Sequence, residues 1–172
     1  MSEASPLLPQ DKPNFEGLSY FPYDSTLVFR LRLRPELVRD TILMTTSTGE
    51  LRRLIPFGTF RFDADGRGHV LSVFKTVDDP TSDHLFLPFR DLTSSHSTYG
   101  GGRYIDMDLD STGIYTLDFN RAYHPYCVYN PSYSCPIPPP ENRLNLAVTA
   151  GERLTEQLRR GPQLPGGVTT GY

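Results

Sequence analysis

The chain has 172 residues, 17 of them basic and 20 acidic, for a formal charge of -3. That length suits one domain with a core of its own, needing no metal or disulfide support. The balanced charge and the lack of a lysine or arginine run give no electrostatic reason to expect a nucleic-acid partner. No apolar run approaches 18 residues, so no membrane span is expected. The opening MSEASPLLPQDKPNFEG lacks a basic region followed by a long apolar stretch, so no signal peptide is read and the cytoplasm is the default location.

Residues 1–14 are polar and proline-containing and read as an N-terminal arm, with Phe15, Leu18, Tyr20 and Phe21 able to pin its end. The run 27–33 alternates as a strand, arginines on one side and Phe29, Leu31 and Leu33 on the other. The β-branched run 41–46 and residues 51–56 flank Ser47-Thr48-Gly49-Glu50 and predict a hairpin. A stronger hairpin follows. Residues 57–62 and 69–75 flank Asp63-Ala64-Asp65-Gly66-Arg67-Gly68, an Asp/Gly turn without the ligand spacing of a calcium loop. Residues 84–89 read as a strand in which Pro88 argues for an end or an edge.

The triple glycine 100–102 precedes a strand rather than opening a helix, so it is not a nucleotide-phosphate loop. It lets the chain bend sharply or approach another backbone, with a ligand as the lesser alternative. Residues 103–109 and 115–121 read as a hairpin joined by Asp110-Ser111-Thr112-Gly113-Ile114. Pairing Leu109 with Tyr115, Met107 with Leu117 and Ile105 with Phe119 makes one apolar face. The same register pairs Arg103 with Arg121 on that face. Opposed inward arginines need an internal carboxylate, for which Asp91 and Glu141 are candidates, or an anionic ligand. Asp118 and Asn120, on the other face, are placed to hold the following loop.

The stretch 122–140 holds four tyrosines, two cysteines and six prolines and reads as a long proline-rich loop. Pro138-Pro139-Pro140 suits a short polyproline-II segment. Cys127 and Cys135 are eight positions apart. Reduced thiols are the preferred reading, with a local disulfide as the alternative. His124 has no convincing set of co-ligands for zinc, and a Cys127–His124 nucleophilic pair lacks an orienting third group. Residues 144–148 read as a strand, 151–160 as a short helix or turn, and 161–172 as a tail. The whole reads as an all-β single domain: an antiparallel β-barrel or strongly curved sandwich over 15–152, then a short helix or turn and polar tail over 153–172.

Three blocks carry a family resemblance. They are Phe86-Leu-Pro-Phe-Arg90-Asp91-Leu-Thr93 with Thr98-Tyr-Gly-Gly-Gly-Arg-Tyr104; Leu117-Asp-Phe-Asn-Arg-Ala-Tyr123; and Pro125-Tyr-Cys127 with Ser134-Cys-Pro-Ile-Pro-Pro-Pro-Glu-Asn142. Together with Tyr20-Phe-Pro22 they resemble the DUF1684 family over roughly residues 15–152. The resemblance implies a compact mainly β domain of unknown function and no established catalytic residue. His124 stands where the family commonly has asparagine, and His96-Ser97 where a more acidic Gly-x-Glu pattern is familiar.

The functional expectation is a small carboxylate-bearing or aromatic ligand at the open end of the barrel, with acid–base chemistry open. Glu141 and Asp91 are the proton-transfer candidates. Arg90, Tyr99, Arg103, Asp118, Asn120, Arg121, Tyr126 and Asn142 are the ligand-binding candidates. The alternative is a non-catalytic structural or protein-interaction domain with an internal Arg–carboxylate network. No nucleotide or metal motif is present, the cofactor is unassigned, and self-association stays open.

Overall fold

A computed structural model describes residues 5–79 and 81–159; the proposed tail 161–172 and the first four residues of the proposed arm lie outside the described residues. Strands β1 (Ser19–Tyr20), β2 (Val28–Arg32), β3 (Arg34–Pro35), β4 (Ile42–Thr45) and β5 (Leu51–Ala64) are followed by β6 (Arg67–Thr76), β7 (His84–Phe89), β8 (Arg103–Asp108), β9 (Ile114–Asp118) and β10 (Glu152–Arg153). One helical turn, α1 (Glu156–Arg159), ends the described chain. No helix among the described residues is long and apolar enough to cross a membrane.

The fold is mostly β and antiparallel. A six-stranded sheet runs in the order β3-β5-β6-β7-β8, with β4 also paired to β5. The β2–β9 pair packs against it, and β1 pairs with β10. The sheets do not close into a barrel. The expected β5–β6 hairpin forms, but its strands run further than composition suggested, until Ala64 pairs with Arg67. Asp65 (φ 50°) and Gly66 (φ 68°) alone make the turn. Both need the left-handed region that a two-residue hairpin demands. The β4–β5 hairpin also forms, pairing Ile42 with Leu54 through Thr45 with Leu51.

Register slips once in β5, between Pro56 and Gly58. The bulge turns successive side chains over, so Leu54 and Phe60 face different cores. The main core joins Phe60, Phe62, Leu71, Val73, Leu85, Leu87, Phe89 and Ile105 with Tyr115, Leu117 and Phe119 of the opposing layer. A smaller cluster of Met44, Leu54 and Phe74 lies on the other face of the sheet. The segment after Tyr123 crosses that face: Pro136 bridges Thr46, and the Tyr104 hydroxyl donates to the Pro136 carbonyl.

The expected β8–β9 hairpin is a correction. β8 pairs with β7, from Phe89 opposite Arg103 to His84 opposite Asp108, whereas β9 pairs with β2, from Val28 opposite Asp118 to Arg32 opposite Ile114. The predicted faces nevertheless hold. Ile105, Tyr115, Leu117 and Phe119 are buried in one core, with Met107 and Leu109 against it. Alternation sets which face a side chain takes, not which strand lies beside it. Residues 119–121 leave the strand in a single 3-10 turn that Asp118 caps through the Asn120 N–H. Arg121 is therefore exposed and does not oppose Arg103.

Pro88 lies one residue before the end of β7, as one of the two sequence alternatives has it, but β7 is flanked by β6 and β8 and is not an edge strand. Proline has no N–H to give to a ladder. The buried Asn142 side chain supplies what is missing. Its Nδ2 donates to the carbonyls of Ser72 (2.8 Å) and Pro88 (2.7 Å), and its Oδ1 accepts from the Ser72 N–H at 2.7 Å. The predicted strand 144–148 does not form, and the chain bends at Asn145 and Leu146. Leu144, Leu146, Val148 and Ala150 are buried and alternate with exposed residues. Its backbone bonds run to residues 90–92.

Candidate functional site

The deepest charged group is Arg103, 1% exposed. Its two terminal nitrogens donate to the carbonyls of Val148 (2.8 Å), Ala150 (2.5 Å) and Glu152 (3.1 Å), and to Asp91 Oδ2 at 3.4 Å. The guanidinium lies over the rings of Phe89 and Phe21. Asp91 accepts in addition from Thr93 Oγ1, Ser94 Oγ and the Val148 N–H, the last at 2.7 Å. Burial lowers the Arg103 pKa to about 10 while Asp91 and Glu152 oppose that fall, so it remains a cation at neutral pH. Every one of these partners is protein. This is the internal Arg–carboxylate network of the second sequence reading, and Asp91 is its carboxylate.

Glu141 does not join it. It is exposed in the 3-10 turn Pro140–Asn142. Asp91 and Glu141 therefore form no acid–base couple. Asp118 and Asn120 bond to each other and, through Asn120, to the Asp24 backbone, holding the loop that enters β2. Asn142 is the sheet clamp described above.

Arg121 borders a cleft of about 350 Å³ where β8 and β9 splay apart, beside Asp106, Asp108 and Asp110. Asp106 Oδ2 accepts from the Tyr123 hydroxyl, its Oδ1 lies 2.9 Å from His84 Nε2, and Asp110 accepts from Thr112. Three aspartates against one arginine make this cleft a poor receptor for a carboxylate.

A second buried acid was not foreseen. Glu152 is 2% exposed. It accepts from the His124 backbone N–H at 2.9 Å, from His124 Nδ1 at 3.1 Å and from the Tyr129 hydroxyl. His124 Nε2 accepts the Tyr99 backbone N–H at 3.3 Å, so the ring proton belongs on Nδ1, facing the carboxylate. Both ring nitrogens are thus engaged, neither of them with Cys127. A signal for Glu152 exists in the sequence. The inward phase Leu144, Leu146, Val148, Ala150 continues two residues on to Glu152.

This support brings Tyr99, Cys127 and Cys135 together, with Arg90 nearby. Cys127 and Cys135 are free thiols, the first half-buried and the second buried. The Cys127 N–H points at Cys135 Sγ (3.2 Å), and Cys127 Sγ lies 3.8 Å from the Tyr99 hydroxyl. The Cys135 hydrogen bond lowers the Cys127 pKa to about 6, helped by Ser47 and Tyr99 and opposed by burial. Cys135 moves far upward through the same contact and through burial. Burial also pushes Tyr99 up, with the Cys127 charge adding and the nearby Arg90 charge opposing. Tyr126 is exposed and meets Tyr133 edge-on, ring centroids 5.3 Å apart.

Arg90 has no side-chain hydrogen bond or ion pair among the described residues, and its Nε is buried without an acceptor. Arg103 Nε is also unbonded but lies between two rings. The Arg90 stem passes Gly102, whose φ is 96° and whose added Cβ would fall 2.5 Å from the Phe89 carbonyl and 2.7 Å from Pro138. The third glycine therefore serves a close approach between protein segments. Among the described residues no three His, Cys, Asp or Glu side chains are grouped to hold a metal ion.

Comparison with known proteins supports the fold and supplies no activity. The solution NMR structure of the uncharacterized protein from gene locus rrnAC0354 of Haloarcula marismortui is similar, with a TM-score of 0.70 and 38% identity. The similarity covers 87% of this chain and 83% of that one. No curated protein matches. Residues 13–153 match the family described as "Protein of unknown function (DUF1684)". The chain belongs to the DUF1684 family.

Proposed function

We propose that this domain binds a small carboxylate-bearing or aromatic molecule at the Arg90–Tyr99 patch, without acid–base catalysis. The observation that carries this reading is the Arg90 guanidinium, whose Nε is buried with no acceptor among the described residues. A buried donor left unpaired costs about 1–3 kcal/mol, which a bound oxyanion recovers. Tyr99 adds a hydroxyl that burial keeps protonated. Tyr126 and Tyr133 add exposed ring surface against which an aromatic ligand can stack. Arg103, one of the sequence candidates, takes no part because protein acceptors already surround it.

The test is a chemical-shift titration of the full chain with benzoate. Saturation with a Kd of about 1 mM, roughly 4 kcal/mol of binding, is expected. Arg90→Gln should weaken it about tenfold or more, and Arg121→Gln should leave it unchanged. No saturable shift, or equal binding by the Arg90 variant, refutes the reading.

The protein-interaction alternative is favoured by one observation, the exposed Tyr126–Tyr133 pair. In that case tyrosine substitutions would abolish partner capture while benzoate binding never appears.

A further inference from the structure

The two cysteines lie in contact, held from separate directions. Cys127 begins no regular element; it sits in the 3-10 turn Tyr126–Val128. Cys135 is tied to the β4–β5 turn: its N–H donates to Ser47 Oγ (3.1 Å) and its carbonyl accepts the Ser47 N–H at 2.8 Å. The same turn is bonded again through Ser134 and Thr48 (2.8 Å). Cys135 is thus fixed, whereas Cys127 rides on a short turn. The Cys127 N–H reaches Cys135 Sγ at 3.2 Å, which holds the two residues side by side. Only Cys127 reaches the surface appreciably, so one sulfur meets solvent and the other waits behind it.

We propose that Cys127 and Cys135 form a hydroperoxide-reactive dithiol, with Cys127 the attacking sulfur and Cys135 the resolving one. In the first step the Cys127 thiolate attacks the terminal oxygen of a hydroperoxide. An S–O bond forms and the O–O bond breaks. The alkoxide or hydroxide leaves and takes up a proton, and Cys127 becomes a sulfenic acid. In the second step the Cys135 sulfur attacks Cys127. The S–S bond forms, the S–O bond breaks, and hydroxide leaves with the Cys135 proton as water. Two equivalents of a low-molecular-weight thiol return both cysteines to the reduced state.

Two contacts, and the engagement of His124 elsewhere, support the division of roles. The Tyr99 hydroxyl, 3.8 Å from Cys127 Sγ, donates to it once it is a thiolate. Their mutual interaction lowers the Cys127 pKa and raises that of Cys135, which favours thiolate at Cys127 and disfavours it at Cys135. His124 is not the activating base, since Tyr99 and Glu152 occupy both its ring nitrogens. The inference does not rest on ligand binding at Arg90, and its test uses no carboxylate.

The full chain contains only these two cysteines. Reduced protein is treated with a small excess of hydrogen peroxide, then alkylated, and the products are mapped by mass spectrometry. The expected product is an intramolecular Cys127–Cys135 disulfide that dithiothreitol reverses. It should form about tenfold faster than oxidation of the same chain in urea. With Cys135→Ser, dimedone should trap a sulfenic acid on Cys127. Should that variant not fold, dimedone added to the wild-type chain at short times should label Cys127 and spare Cys135. A rate no greater than in urea, an intermolecular dimer as the main product, or first labelling at Cys135 each overturns the proposal.

Discussion

Arg103 shows how one side chain can look like a ligand site and be a structural clamp. Its position on an inward strand face and its need for a carboxylate are both legible in the sequence. Its other acceptors are not, because they are three main-chain carbonyls from residues 148, 150 and 152, some 45 or more positions away. Arg103→Ala leaves those carbonyls and the Asp91 carboxylate without a cation. Urea unfolding should show a loss of about 3–5 kcal/mol, the range for removing one partner of a buried ion pair. A loss below about 1 kcal/mol would mean that water replaces the guanidinium and that the pair is less sealed than its contacts indicate. Glu152 illustrates the opposite case. Its inward phase was readable from the alternation ending at Ala150, but its partners His124 and Tyr129 come from a segment with no period at all.

At the scale of the strands, β7 carries a proline where a ladder would normally require an N–H. The sheet continues because Asn142, arriving from the 3-10 turn Pro140–Asn142, satisfies Ser72 and Pro88 with one amide. Asn142→Ala removes all three bonds inside the sheet. Each newly unpaired buried group costs about 1–3 kcal/mol, so a total near 3 kcal/mol or more is expected in urea unfolding. Asn142→Asp should also destabilise, since a carboxylate cannot donate to the two carbonyls. If either variant is as stable as the wild type, the clamp is dispensable. The hairpins β4–β5 and β5–β6 were legible because their turns are short and chemically marked: Ser47-Thr48-Gly49-Glu50 and Asp65-Gly66. The β8–β9 hairpin was misread because its Gly113-containing link resembles a turn equally well, yet each strand finds a better partner in β7 and β2.

Across the whole molecule, stability should grade from the doubly covered centre of the six-stranded sheet toward its short outer pairings. Leu71 and Val73 of β6 are fully buried and flanked by β5 and β7, whereas Leu43 of the edge strand β4 is exposed. Amide exchange followed by NMR should be at least about tenfold slower at Leu71 and Val73 than at Leu43 and Thr45, a local difference of about 1.4 kcal/mol or more. Equal rates would indicate that the sheet opens as one unit.

The sequence by itself determined the β class, the inward and outward faces of the principal strands and two of the hairpins. Those properties are local. They follow from a period of two and from the few residues that tolerate left-handed turns. The tertiary structure decided which strands lie side by side, that the sheets stay open, and that Asp91 rather than Glu141 meets Arg103. It also decided that Arg121 faces solvent and that Tyr99, Cys127 and Cys135 meet near Arg90, whose Nε has no acceptor among the described residues. Those outcomes depend on contacts between residues far apart in the chain, where alternation fixes a face but not a neighbour.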